Sequence, residues 1–146
     1  MVEGFELVIR SQIDGDFEGF DDENLFKLMN GTYWVQDEYK YWYHYSYCPE
    51  ALILRKSGRF FIQVDRQSEI VPVRQITSVI ENKINGEFKG WEGETEYQLV
   101  NGQVWKQSEY KYEYKYAYRP DVIIFDPGYG PVMRVDGTSA KVRRVK

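Results

Sequence analysis

Ile13-Asp14-Gly15-Asp16-Phe17-Glu18-Gly19-Phe20 returns 71 residues later as Ile84-Asn85-Gly86-Glu87-Phe88-Lys89-Gly90-Trp91. From this pair the two stretches run on without a gap through Pro49 and Pro120. About half of the aligned positions are identical, which marks a duplication of one module of about 65 residues. Leu28/Leu99, Asn30-Gly31/Asn101-Gly102, Trp34/Trp105, Gln36/Gln107 and Glu38/Glu109 all recur. Past the prolines the copies diverge, meeting again at Val64-Asp65/Val135-Asp136 and in two closing strands, Val71 to Ile76 and Lys141 to Val145. The expected organisation is an N-terminal extension or first strand over 1–12, a first repeat over 13–76, a short connector over 77–83 and a second repeat over 84–146. The connector lacks Pro, Gly and low complexity, so it reads as direct docking and not as a flexible tether.

No helical stripe of apolar residues is present, whereas alternation of period two is plain in several segments, among them Tyr110 to Tyr118. Thirteen Tyr, eight Phe and four Trp suit strands. The two Asn-Gly pairs predict two-residue type I′ hairpin turns, with positive φ at both central residues. Arg55 to Arg59 and Asp126 to Gly130 read as looser loops. Several short antiparallel strands per copy predict an all-β fold, two tandem small antiparallel β-barrels (SH3-like or OB-like) related by pseudo-twofold symmetry. A 65-residue core is thin, so the two modules are expected to support each other.

Two sets of aromatic residues are candidate binding elements. Tyr39 to Tyr47 and Tyr110 to Tyr118 place a tyrosine at every second position. The alternate face of the second copy is mostly charged (Lys111, Glu113, Lys115, Arg119), so the tyrosines are expected to face inward. The rival reading is an exposed stacking platform centred on Tyr43 and Tyr114, with Lys40, Lys111 and Lys115 supplying charge. Two-residue turns would set Trp34 across from Lys27 and Trp105 across from Gln98, on the face away from the apolar pairs Leu28/Tyr33 and Leu99/Val104. Trp34 and Trp105 are therefore candidate groove residues, weighed against a place in the core or between modules.

The formal charge of −4 and pI near 5.1 oppose a general approach to nucleic acid or to an anionic membrane. Charge is nevertheless uneven, with six acids between Asp14 and Glu23 and four cations from Lys141 to Lys146. Cys48 is the only cysteine, which excludes an intramolecular disulfide and makes a reducing cytoplasm the default. No signal sequence or membrane span is legible, and no membrane partner is expected. The lone histidine, His44, has Lys115 as its counterpart, and it stands about 13 Å along a strand from Cys48, too far for a nucleophile–base pair or a shared metal. Asp14 to Gly19 resembles the start of a calcium loop, but Leu25 stands where the bidentate glutamate belongs. No phosphate-cradling loop, nucleophile elbow or zinc spacing occurs. Neither cofactor nor metal is expected, and Glu23/Glu94 and Glu38/Glu109 are the carboxylates an enzyme reading would use.

The strings I-[DN]-G-[DE]-F-x-G-[FW] and L-x-N-G-x-x-W-x-Q, followed by alternate tyrosines ending in Y-x-P, resemble a repeat family found in bacterial proteins. That resemblance implies no activity. The expected function is a non-catalytic binding or protein-interaction module using exposed aromatic residues. Single-stranded nucleic-acid or saccharide binding on the tyrosine rows stands second and an enzyme third.

Overall fold

The computed structural model describes residues 4–22 and 24–146, and every regular element among them is a strand. The chain divides into two compact units, Met1–Thr77 and Ser78–Lys146. In the first, β1 (Glu6–Gln12), β6 (Glu50–Lys56), β7 (Arg59–Val64), β8 (Ile70–Ile76), β4 (Tyr33–Gln36) and β3 (Leu25–Lys27) form one antiparallel sheet in that order, and β2 (Asp16–Phe20) pairs with β5 (Trp42–Tyr47) as a separate ribbon. The sheet curls into a half-barrel whose edges meet at the bridge between Ile13 and Leu28, where Asp14 N donates to Lys27 O at 2.8 Å and Met29 N to Gln12 O at 2.9 Å. Ile13, Leu28, Trp34, Ile53, Ile62 and Val71 fill its interior.

The second unit has the same strand order. Its sheet runs β9 (Ile80–Lys83), β14 (Asp121–Phe125), β15 (Val132–Val135), β16 (Thr138–Arg144), β12 (Val104–Gln107) and β11 (Glu96–Gln98), its ribbon is β10 (Glu87–Glu92) with β13 (Tyr112–Tyr118), and its edges meet at Ile84 and Leu99. Strand β9 falls inside the stretch expected as a connector. It pairs with β14 from Ile80↔Ile124 to Lys83↔Asp121, and Ile80 packs on the second core as Ile9, 71 residues earlier, packs on the first. Each half-barrel thus supplies its own edge strand, which a thin core needs in order to wrap.

The hairpin turns differ from their sequence reading. Leu28 N donates to Thr32 O and Gly31 N to Leu28 O, both at 3.0 Å, so the loop holds three residues, Met29, Asn30 and Gly31, with only Gly31 at positive φ (89°). Asn30 Oδ1 instead accepts from Thr32 N at 3.0 Å, and Asn101 Oδ1 from Gln103 N at 3.0 Å. Both central residues lie at positive φ in the tight turns Ser57-Gly58 (53° and 77°) and Asp136-Gly137 (47° and 85°). The extra loop residue shifts the hairpin register by one. Trp34 now faces Phe26 and Trp105 faces Tyr97, on the inner side of the sheet.

The Phe-x-Gly-[Phe/Trp] motif is a β-bulge. Pairing slips between Phe17 and Gly19, and between Phe88 and Gly90, so that aromatic residues three apart both point inward. A Cβ on Gly19 would lie 1.9 Å from the Trp42 carbonyl oxygen, and one on Gly90 1.9 Å from that of Glu113. Gly19→Ala is therefore expected to destabilise the first unit by about 2 kcal/mol or more, read as a thermal midpoint lower by about 10 °C.

Tyr97 replaces Phe26 in the second core. Its hydroxyl donates to Gly90 O at 2.7 Å, and burial pushes its phenol up to about 12. The unfolded chain ionises this phenol near pH 10 and the folded chain does not, so its contribution is full below pH 10 and is lost between about 10 and 12. Tyr97→Phe should abolish that part of the alkaline destabilisation, on the order of 2 kcal/mol, in denaturant titrations from pH 9 to 11.5.

Candidate functional site

Both tyrosine rows face solvent. Every one of the ten rings is more than half exposed, from 51 % at Tyr116 to 87 % at Tyr110, with Tyr43 at 65 % and Tyr114 at 76 %. This corrects the inward expectation, and the cause lies in the partner strands. Phe17 pairs with Ser46 and Phe20 with Trp42, so burying the two phenylalanines places Trp42, His44 and Ser46 on the inner side and the tyrosines outside. Trp42 packs against Phe17 and Phe20, and His44 lies on Trp42 with centroids 5.1 Å apart and planes 4° from parallel.

The charged alternate residues of the second row find polar partners instead. Trp91 Nε1 donates to Thr138 Oγ1 at 3.0 Å, and Thr138 donates to Glu113 Oε1 at 2.8 Å. Lys111 Nζ donates to Ser139 O at 2.7 Å and lies 3.9 Å from Glu113. In the first unit Lys40 Nζ donates to Ile70 O at 3.1 Å and pairs with Glu69 at 2.7 Å. Lys115 alternates with the exposed rings, is half-buried and lies beside Gly137. The three candidate cations thus lie off the tyrosine faces.

Trp34 and Trp105 are also corrected as surface candidates: they are 2 % and 5 % exposed and belong to the two cores. Their indole N–H groups are satisfied locally, by Thr32 Oγ1 at 3.0 Å and by Gln103 Oε1 at 3.1 Å.

What borders the rows is acidic. Asp16 accepts the Tyr45 hydroxyl at 2.8 Å, and this bond, with the charges of Asp16 and Glu18, raises the Tyr45 phenol. Tyr47 is raised first by Cys48 and then by Asp16 and Asp14, and Tyr116 first by the charge of Glu87. At the start of the first row a cleft of about 340 Å³ is lined by Tyr39, Phe61, Ile70 and Pro72.

Among the enzyme carboxylates, Glu94 is exposed, Glu38 lies 3.8 Å from Arg59, and Glu109 accepts the Lys141 N–H at 2.9 Å. Glu23 lies outside the described residues. His44 Nε2 lies 2.9 Å from Asp65 Oδ2, and no group of three His, Cys, Asp or Glu among the described residues is placed to hold a metal ion.

The glutamines beside the tryptophans serve the rows. Gln36 is buried, its Oε1 accepts from Asp21 N at 3.0 Å, and its Nε2 donates to the carbonyls of Asp21, Glu38 (3.0 Å) and Lys40 (3.3 Å). Gln107 Nε2 likewise donates to the Glu109 and Lys111 carbonyls, both at 2.8 Å. Each glutamine therefore fixes the loop that delivers the chain into its tyrosine strand. Gln36→Ala is expected to cost about 2 kcal/mol and to raise amide exchange over Glu38 to Tyr41, measured by mass spectrometry. Compared with known proteins, the chain matches no protein-family model, no curated protein and no solved structure.

Proposed function

We propose that the chain is a non-catalytic protein-interaction module, two tandem small-barrel units of SH3-like or OB-like kind whose contact surfaces are the two tyrosine ladders. The observation that carries this reading is the exposure of all ten rings of the two rows. Tyrosine offers broad apolar contact with a polar tip and only two side-chain torsions to freeze, which is why it is enriched at recognition surfaces. Three tyrosines of the first ladder, Tyr43, Tyr45 and Tyr47, and four of the second, Tyr112, Tyr114, Tyr116 and Tyr118, stand on a strand paired to a bulged neighbour whose aromatic residues are buried, so the rings are presented on a fixed backbone. Two ladders on one chain would add avidity for a partner with repeated epitopes.

Single-stranded nucleic acid fits less well. Phosphate contacts need cations, and Lys40 and Lys111 are engaged elsewhere while Asp16, Glu18 and Glu87 border the rings. A neutral saccharide stacking on the rings escapes that objection and stands as the second reading.

The test compares the wild-type chain with Tyr43→Ser/Tyr45→Ser/Tyr47→Ser and with Tyr114→Ser/Tyr116→Ser/Tyr118→Ser. Because the rings are exposed, each variant should melt within a few degrees of wild type. A discrete protein captured by wild type in the presence of nuclease, and lost from either variant, is the expected result. Equal capture by all three proteins would overturn the proposal, and ring-dependent binding to a glycan panel without a protein partner would favour the saccharide reading.

A further inference from the structure

The two ladders differ in their borders. Beside Tyr45 and Tyr47 stand Asp14, Asp16 and Glu18, whereas the second unit carries Asn85, Glu87 and Lys89 at the matching positions, with Lys89 3.8 Å from Glu87. Of the three acids in the first unit, Asp14 is answered by Lys27 at 3.3 Å, and Lys40 is turned away to Glu69. A surface of tyrosine rings and carboxylates draws cations through both the ring quadrupole and net charge. Strand β5 is paired with β2 alone, so its other edge presents open main-chain donors and acceptors among the described residues. Rings two residues apart along a strand repeat about every 6.7 Å, and an extended peptide repeats its alternate side chains at the same interval.

We propose that the first unit's ladder is a docking strip for an extended polypeptide segment carrying arginine or lysine at alternate positions, added along the free edge of β5 so that its cations lie over Tyr43, Tyr45 and Tyr47. The inference rests on the interaction-module reading and names the chemistry of the partner. Charge complementarity selects the segment, strand addition orients it, and the equal repeat puts one cation on each ring. The second ladder, with Lys89 in place of Glu18, takes such a segment less well.

The test titrates the full chain with a synthetic peptide of alternating Arg and Thr, followed by amide chemical shifts, with a Gln-for-Arg peptide as control. Saturable shifts over β2 and β5 are expected, with an affinity about tenfold or more above that for β10 and β13, and about tenfold or more above that of the Gln peptide. Asp16→Lys/Glu18→Lys should lower the affinity at least about tenfold, and the milder Asp16→Asn/Glu18→Gln by less. Glu6→Lys on β1, set against Asp16→Lys alone so that the charge change is equal, should leave it nearly unchanged. The spectra away from β2 and β5 report whether each variant is folded. Equal binding of the Gln peptide, or equal loss in the off-ladder variant, would overturn the proposal. So would an absence of binding while a captured partner still depends on Tyr43, Tyr45 and Tyr47; that outcome would leave the interaction-module reading standing.

Discussion

Two inward-pointing aromatic side chains on either side of a glycine determine the surface of each unit. Phe17 and Phe20, like Phe88 and Trp91, are separated by a number of residues that a regular strand would send to opposite faces, and the bulge at Gly19 or Gly90 returns both to the core. Once they are buried, the cross-strand register leaves β5 and β13 no choice of face. The tyrosines turn outward because their partners turn inward. A methyl group on either glycine would collide with a carbonyl oxygen across the ribbon, so the arrangement depends on a backbone approach that only glycine permits.

Within this common frame the inner faces of the tyrosine strands have diverged. The first unit places Trp42 and His44 there and packs them as rings on Phe17 and Phe20. The second places Glu113 and Lys115 at those positions and replaces stacking by the chain of hydrogen bonds from Trp91 through Thr138 to Glu113. The first arrangement gains ring dispersion, with His44 also 2.9 Å from Asp65, and the second satisfies polar groups. The outer face was held constant in residue type while the inner face changed, which is the reverse of the pattern expected from a strand whose tyrosines serve only packing.

Much of the architecture was legible in the sequence because similar motifs stand 71 residues apart: the all-β character, most of the strands and the antiparallel arrangement follow from alternation and turn residues. Three features were not. The loops at Asn30-Gly31 and Asn101-Gly102 hold one residue more than the dipeptide suggests, and a shift of one residue moves Trp34 and Trp105 from the outer face to the core. Strand β9 was hidden because the two copies share only Val8-Ile9 and Val79-Ile80 there. The tyrosine face is not legible from β13 alone, because its orientation is set by the aromatic residues of β10. Alternation shows that two faces differ; only the paired strand shows which of them is buried.

The aromatic residues end up sorted by type, with the indoles of Trp34, Trp91 and Trp105 in the cores, Trp42 half-buried, and the ladder phenols in solvent. Light absorbed at the red edge of the spectrum, where only tryptophan responds, therefore reports on the integrity of the two cores. Ten of the thirteen tyrosines belong to the ladders, so the tyrosine part of the near-ultraviolet absorbance reports chiefly on them. One unlabelled sample thus carries separate optical channels for folding and for surface occupancy, and a ligand that covers the phenols without loosening the cores would alter one and leave the other unchanged.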